Sequence, residues 1–222
     1  QRMCCRARFD RADRYLHGCA GTLFREKQLN QMAPLSEIIR SLYGTLRLAR
    51  GDTGGMAFFN ATEQGFWRSF TAAILIAPLF AMLLMVRYSV NDSTVPLLRF
   101  SAVETIAYVV SWVAFPLLLF HLTDILGIGQ RYIRYIVAYN WASVIQNLLY
   151  LPFALLVEAH LLEGAGSSFI GFLLLGLVLF YTWFVTRTAL EISNLLAAGL
   201  VTIDLVLSIF INTITQGMLH VP

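Results

Sequence analysis

The sequence predicts an all-α membrane protein, a bundle of about five transmembrane helices preceded by a short amphipathic helix at the membrane interface. Of the 222 residues, 58% are hydrophobic and only 13% are charged, whereas about 25% of residues are charged in an ordinary soluble domain. The charges are also unevenly placed, since long apolar stretches carry almost none of them. Because one crossing takes about 20 apolar residues, the chain from Ser69 onward has room for five spans.

Charge-free runs and their flanks give the positions of the spans. They are predicted at 69–87, 100–123, 134–157, 167–186 and 192–215, within a membrane domain at 67–222. No glycine or proline interrupts the chain between Gly176 and Gly199. The apolar stretch is nevertheless far too long for one crossing, so length alone predicts a reversal near 187–193.

The first 31 residues differ from the rest of the chain. They hold seven of the 16 Lys and Arg residues, the only lysine and all three cysteines. Two interpretations are open. The segment is a basic tail at the membrane surface, or it does not belong to the natural protein, because Met32 opens the first patterned segment; we favour the second. With no cysteine elsewhere, disulfides and thiolate metal sites are not expected.

Residues 32–66 are predicted to form a cytoplasmic, interfacial segment with one amphipathic helix. Its apolar face is made by Ile38, Ile39, Leu42, Leu46 and Ala49. The basic residues on or beside the opposite face are Arg40, Arg47 and Arg50. Such a helix suits the headgroup layer, although a helix packed against a cytoplasmic partner would show the same periodicity.

The end of this segment leads directly into the first span. Asn60 and Glu63 have the spacing of a capping box, which opens a helix. Trp67 follows, and tryptophan is enriched where a span meets the headgroups. We therefore expect Trp67 at the membrane interface.

The arginines predict the orientation. With the N-terminus in the cytoplasm, seven arginines of the body lie inside and two, Arg87 and Arg99, lie outside. The positive-inside rule then predicts a cytoplasmic N-terminus and an external C-terminus. A lysine-free, arginine-rich body is typical of a GC-rich bacterium, which indicates a multi-pass protein of the inner membrane.

Familiar catalytic motifs are absent from the sequence. It contains no HExxH zinc motif, no glycine-rich phosphate loop and no GxSxG nucleophile elbow. We therefore predict no enzyme, no catalytic residue, no metal site and no cofactor. Nucleic-acid binding has no support outside the first 31 residues.

Asp204 is the most informative polar residue. A carboxylate at the centre of a span costs about 2.5–3.5 kcal/mol on insertion-based scales, so it should face the bundle interior and have a partner. Ser208 and Asn212 follow it at four-residue steps, and the third span carries a second polar stripe that includes Asn140 and Asn147. We predict that Asp204 is hydrogen-bonded to Asn140 or Asn147.

Facing polar stripes permit two roles. They can be structural hydrogen bonds between helices, or they can line a hydrated path for an ion, a proton or a small substrate; the structural role is the one we favour. Glu104, near the outer end of the second span, is expected to snorkel or to pair with Arg99. We rank it below Asp204 as a candidate.

The layout resembles the Yip1 family of membrane proteins. The shared features are five spans, a cytoplasmic N-terminal region, a tight turn between the last two spans, and an aromatic stretch at 180–190 that runs into a short basic loop. Eukaryotic members carry a DLYGP motif before the membrane domain, whereas residues 41–45 here read SLYGT. The resemblance covers 69–215 and implies membrane organisation or trafficking through protein partners, without catalytic residues.

These observations together predict a non-enzymatic scaffold or interaction protein of the membrane. Its expected partners are the lipid bilayer and other membrane proteins or a second copy of the chain. The alternative is a small transporter or channel-like subunit with a polar path through Asp204.

The predicted orientation is testable by cysteine labelling in intact cells. Cysteines introduced at Ser93 and Ser167 should react with an impermeant thiol reagent, because both positions are expected outside. A cysteine at Gln130 should stay unlabelled until the cells are broken. Labelling at Gln130 in intact cells would show that the predicted orientation is wrong.

Overall fold

The structure, a computed structural model, describes residues 35–90 and 95–220. The predicted tail at 1–31 lies outside the described residues. Over the described ranges the chain is helical, with no β-strand. Its α-helices are α1 (Leu35–Ala49), α2 (Glu63–Ser69), α3 (Thr71–Val90), α4 (Leu97–Ile125), α5 (Tyr132–Glu158), α6 (Ala165–Leu190) and α7 (Asn194–His220). Short 3-10 turns lie at Thr53–Phe58 and Gly129–Arg131.

Five helical segments are long and apolar enough to cross a membrane. They are Glu63–Val90, Leu97–Ile125, Gly129–Glu158, Ala165–Leu190 and Asn194–Leu219. The predicted all-α transmembrane bundle is confirmed, and the protein is a multi-pass membrane protein. Most helices extend a few residues past the predicted spans, because hydropathy marks the hydrocarbon layer whereas the helices continue into the headgroup region.

Helix α5 is the centre of the bundle. It packs against α1, α2, α3 and α6, and α7 packs against α4 and α6. The N-terminal half of α5 is buried almost all round, from Tyr135 to Ala138 and from Asn140 to Val144. Burial on every side is what a central position in the bundle requires.

Helix α1 packs on the bundle through its small residues. Ser41, Gly44, Thr45 and Leu48 are buried. A Cβ atom added to Gly44 would lie 2.8 Å from the carbonyl oxygen of Gly55, so only glycine allows this approach to the first 3-10 turn. The hydroxyl of Tyr181, in α6, donates to the carbonyl of Thr45 at 3.0 Å.

A polar cluster holds α1 to the start of the first span. The carboxylate of Glu37 accepts from Arg68 at 3.0 Å and from the amide of Asn60 at 3.0 Å. The capping-box spacing predicted Asn60 as the N-cap of α2, and this prediction is wrong. Thr62 is the N-cap, and its hydroxyl accepts from the backbone N–H of Gly65 at 3.1 Å. Asn60 is drawn to Glu37 because that carboxylate is partly buried and needs donors.

The reversal between α6 and α7 takes only residues 191–193, within the region predicted from length. Glu191 adopts a left-handed backbone conformation with φ of 53°, which non-glycine residues rarely adopt. Arg131 donates to the carbonyls of Leu190 and Glu191 at 2.7 and 3.1 Å, and Arg134 donates to the Glu191 carboxylate at 2.6 Å. The two bonds from Arg131, just before α5, satisfy carbonyls that the end of a helix leaves without partners, and the bond from Arg134 fixes the Glu191 side chain.

The ion pairs that Arg131 and Arg134 form with Glu191 should be sensitive to pH. The hydrogen bond from Arg134, and the charges of Arg131 and Arg134, hold the pKa of Glu191 below its ordinary value. A carboxyl with a lowered folded-state pKa stabilises the fold above its unfolded-state pKa, and this stabilisation is lost as the pH falls through the folded-state pKa.

We therefore expect Glu191→Gln to lower the thermal unfolding temperature at pH 7 in mild detergent. The difference from the wild type should shrink as the pH falls through the lowered folded-state pKa of Glu191, and it should disappear at pH values below that pKa, where both side chains are neutral. Glu63→Gln, at an exposed position, is the control. An equal effect of Glu191→Gln at pH 7 and at acid pH would show that the ion pairs do not hold the turn.

Candidate functional site at Asp204

Asp204 lies on the face of α7 that packs into the bundle. Ala197, Leu200 and Val201 are buried on this face before it, and Thr215 and Leu219 are buried beyond it. Asp204 itself is half-buried. At about 1.5 Å per residue its Cα lies about 15 Å along α7 from Asn194, which is too deep for so short a side chain to reach the headgroups.

The partner of Asp204 is Tyr139 of α5. Its hydroxyl lies 3.1 Å from both carboxylate oxygens. A partner from another span was expected, but the specific prediction of Asn140 or Asn147 is wrong. The amide of Asn140 donates to the hydroxyl of Ser69 at 2.8 Å, and the amide of Asn147 donates to the carbonyl of Ser143 at 2.8 Å.

Geometry explains why a tyrosine takes this position. Asn140 follows Tyr139 by one residue and therefore points about 100° away around α5, toward the start of the first span. The predicted direct meeting of the two polar stripes also fails, because α7 packs on α4 and α6 rather than along α5. Only a long side chain crosses the remaining gap, and the tyrosine hydroxyl does so.

Aromatic rings pack against the ring of Tyr139, whose hydroxyl donates this hydrogen bond. The ring centroids of Phe115 and Tyr139 are 5.2 Å apart, and those of Tyr135 and Tyr139 are 5.7 Å apart. The hydroxyl of Tyr135 is itself 3.2 Å from that of Thr186 in α6. The carboxylate therefore lies beside a closely packed aromatic cluster in the half of the bundle that contains the start of α5.

The polar residues that follow Asp204 on α7 are more exposed than it is. Ser208 and Asn212 are exposed, although they lie one and two turns further along the face that carries the buried Thr215 and Leu219. On α5, Ser143 is 8% exposed and Asn147, one turn beyond it, is half-buried.

The chemistry available around Asp204 is limited. Its hydrogen-bond partner is a phenol, and no group of three His, Cys, Asp or Glu residues able to hold a metal ion occurs in the described part of the chain. Asp204 forms no ion pair with a basic side chain among the same residues. A single carboxylate with one hydroxyl donor can bind a proton or a cation, and it offers no nucleophile with an adjacent base.

Glu104 lies at the opposite end of the bundle, and the prediction that it pairs with Arg99 is wrong. Its carboxylate is 3.5 Å from Arg87, which also contacts Glu158 at 3.3 Å. Arg99 instead donates to the carbonyl of Met218 at 2.8 Å. Glu104 is only 4% exposed, so it does not snorkel either. Arg87, at the end of the first span, points back toward α4 and is the nearer cation.

The four interfacial candidates lie at the end of the bundle where α1 docks. Arg40 donates to the carbonyl of Ala57 at 3.2 Å, and Arg47 donates to the Asp52 carboxylate at 2.7 Å. That bond holds the pKa of Asp52 below its ordinary value. Arg50 is exposed, and the ring of Trp67 is also exposed, at 71%.

Sequence reasoning missed Tyr139 and Tyr181. Both are tyrosines in apolar spans, and both donate across to another helix. The available sign was the spacing of Tyr132, Tyr135 and Tyr139, which places three hydroxyl groups on one helical face. Buried tyrosine hydroxyls nearly always have a hydrogen-bond partner, so this face was a candidate for interhelical bonds.

No protein-family model matches the chain, and comparisons with curated proteins and with solved structures find no significant match.

The Tyr139–Asp204 bond should contribute to helix association. Asp204→Asn keeps a carbonyl that accepts from Tyr139 and should be nearly neutral, whereas Asp204→Leu should lose roughly 1–2 kcal/mol. Unfolding in mixed detergent micelles measures both changes. Combined with Tyr139→Phe, the double-mutant cycle should give a coupling energy of about 0.6–1.7 kcal/mol.

The matched control for this cycle is Thr202→Ala. Thr202 also lies on α7, but its hydroxyl donates to Ala198 of the same helix at 2.9 Å, so no interhelical bond is lost. If Asp204→Leu is no less stable than Thr202→Ala, the bond is not structural.

Proposed function

We propose that the protein is a non-enzymatic scaffold or interaction protein of the bacterial inner membrane, with a cytoplasmic N-terminus and an external C-terminus, of the type that the Yip1 resemblance implies. The observation that carries this proposal is the way α1 is held. The helix is fixed to the bundle by the face that carries Ser41, Gly44, Thr45 and Leu48, whereas a second set of apolar and basic side chains on its other side is exposed. Such a surface is suited to contacts with lipid and with other membrane proteins.

The exposed surface of α1 has an apolar and a basic side. The apolar side is formed by Leu35, Ile39, Tyr43 and Leu46, which are 47–71% exposed. Arg40 and Arg50 are exposed beside it. Large apolar side chains on a surface mark contacts with a membrane or a protein, and arginines at the same level suit lipid phosphates.

The depth of α1 supports an interfacial position. Thr45 is bonded to Tyr181, which lies nine residues before the end of α6 at Leu190. At about 1.5 Å per residue this is about 14 Å along the helix. The helix α1 therefore lies beside the ends of the spans rather than beyond them, and its apolar side chains are level with the membrane boundary.

The polar residues inside the spans also favour a structural role. Tyr135, Tyr139, Asn140 and Gln146 of α5 each bond to a side chain of another helix. Polar groups committed to interhelical bonds hold a bundle together. They leave few groups for a continuous path across the membrane.

A second candidate function is a small transporter or channel-like subunit. One observation favours it: Ser208 and Asn212 are exposed on the inward face of α7, one and two turns from Asp204. Transport would require a net flux across proteoliposomes that Asp204→Asn abolishes while the fold is retained, because only the carboxylate titrates.

The scaffold proposal is tested by isolating the native complex in mild detergent. We expect one or more membrane proteins to co-purify in a fixed ratio with the wild type. The double variant Ile39→Ser with Leu46→Ser should lose them, because it removes two exposed apolar side chains of α1 and leaves the ring contact of Tyr43 with Phe58 in place. The control is Leu195→Ser on α7, which is 85% exposed to the surroundings of the bundle.

Two results would contradict the scaffold role. One is a wild-type protein that purifies without any protein in fixed ratio. The other is an equal loss of partners in the α1 variant and in the Leu195→Ser control.

A further inference from the structure

We infer that two copies of the chain associate side by side through α7, with Asn212 of each copy hydrogen-bonded to its counterpart in the other. The surface is the edge of α7 that carries Ser208 and Asn212, and we name it the α7 polar edge. The inference rests on the proposed interaction role, for which it names one partner. It uses a surface different from that of α1.

The side chains of the α7 polar edge have no hydrogen-bond partner within the described part of the chain. Neither Ser208 nor Asn212 donates or accepts a side-chain hydrogen bond there, and both are exposed. The threonines of the same helix differ. The hydroxyls of Thr202, Thr213 and Thr215 donate to carbonyls four residues earlier, at 2.9, 2.9 and 2.8 Å. These hydroxyls are satisfied by their own helix, whereas the amide of Asn212 is not.

Asn212 lies at the depth of the hydrocarbon layer. Arg99 of α4 donates to the carbonyl of Met218 at 2.8 Å, and an arginine near the end of a span keeps its charged group at the headgroup level. Asn212 precedes Met218 by six residues, which is about 9 Å along α7. An asparagine side chain is too short for that distance, and hydrocarbon offers its amide no partner. The amide therefore requires a partner from outside the chain.

The neighbours of the α7 polar edge show which way it faces. Leu207 packs against the buried core, and Ile211 is half-buried. Ser208 and Asn212 each follow one of these residues and therefore lie about 100° further around α7. A helix from another chain can reach this edge without displacing Leu207 or Ile211.

The chemistry of asparagine favours a second copy as the partner. A carboxamide has two donors and an acceptor oxygen, so it can pair with an identical group. In a dimer whose two-fold axis is perpendicular to the membrane, each residue lies at the same depth as its counterpart. The two Asn212 amides therefore meet by symmetry. Asparagine has this role in two-stranded coiled coils, where it sets the register and the number of strands.

The spacing along α7 also fits a helix pair. Leu205, Ser208 and Asn212 follow one another at steps of three and four residues, which is the spacing of the contact stripe in paired helices. Small residues let helices approach closely in a membrane, and polar ones bond across the contact. Ser208 thus permits the approach, and Asn212 supplies the bond.

Disulfide cross-linking in membranes tests the arrangement. In a background whose three cysteines are replaced by serine, Ser208→Cys places a thiol one turn before Asn212 on the contact stripe. The control is Phe210→Cys, which is 60% exposed but lies about 160° around α7 from Asn212. We expect copper phenanthroline to link Ser208→Cys into a dimer several times faster than Phe210→Cys.

The amide itself is tested in the Ser208→Cys background. Asn212→Leu removes the hydrogen-bonding group and should slow cross-linking, whereas Asn212→Gln keeps its donors and acceptor and should preserve it. Thr213→Leu is the matched control, because the Thr213 hydroxyl already bonds to Ile209 of its own helix at 2.9 Å. The thermal unfolding temperature of each variant separates loss of the dimer from loss of the fold.

The strength of association is measured by fluorescence energy transfer between donor- and acceptor-labelled copies in liposomes. The label is attached at Gln130→Cys, which is exposed before α5, so that α7 is unchanged. Dilution of the protein in lipid gives the dissociation constant of the dimer. Asn212→Leu should raise this constant about tenfold, which corresponds to about 1.4 kcal/mol and is within the range of interhelical hydrogen bonds in membranes.

Three outcomes would overturn the inference. Equal cross-linking of Ser208→Cys and Phe210→Cys would show that the copies do not meet at the α7 polar edge. Cross-linking and a dissociation constant that Asn212→Leu leaves unchanged would show that the amide does not hold the dimer. A wild type that stays monomeric at every protein-to-lipid ratio would show that lipid or a different protein covers Asn212.

The failure of this inference is distinguishable from failure of the scaffold role. The co-purification test changes only α1 and scores other membrane proteins, whereas the dimer tests change only α7 and score a second copy. A monomer that still binds membrane proteins through α1 would overturn the dimer alone. A dimer that binds none of them would contradict the scaffold role alone.

Discussion

The bundle depends on one constraint, which is that hydrocarbon offers no partner to a polar group. Helix α5 supplies hydrogen-bond partners for polar groups of the neighbouring helices. Its side chains bond outward to four of them, through the pairs Tyr132–Pro116, Tyr135–Thr186, Tyr139–Asp204, Asn140–Ser69 and Gln146–Thr182. Its start also binds the α6–α7 turn through Arg131 and Arg134. The position of every other span is therefore set relative to α5, and α1 is added on the outside through Tyr181.

Hydropathy and length were sufficient to predict the class of fold, the number of spans and the reversal between the last two, because these follow from the thickness of the bilayer. They were not sufficient for the partner of Asp204. Which residue reaches a carboxylate depends on how far apart two helices stand and on how each is rotated, and neither is encoded in local sequence. The partner of Glu104 could not be predicted for the same reason. Arg87 and Arg99 both lie close to Glu104 in the sequence, and the packing of α3 against its neighbours decides that Arg87 forms the ion pair.

The Tyr139–Asp204 bond has a double effect on the structure. It ties α5 to α7, yet it does so with a side chain long enough to keep the two backbones apart. A shorter pair, such as two asparagines, could bond only if the helices stood closer together. The length of the tyrosine therefore matches the distance between α5 and α7 at this level, where α7 packs on α4 and α6.

The reversal at 191–193 has a consequence for biogenesis. The hairpin of α6 and α7 leaves the ribosome after helices α1 to α5, and it carries both Thr186 and Asp204. Until it arrives, the hydroxyls of Tyr135 and Tyr139 in the nascent protein have no such partners. The earlier spans are thus an unfinished intermediate, and a chain cut short after α5 would present polar surface to lipid and be a natural target for membrane quality-control proteases.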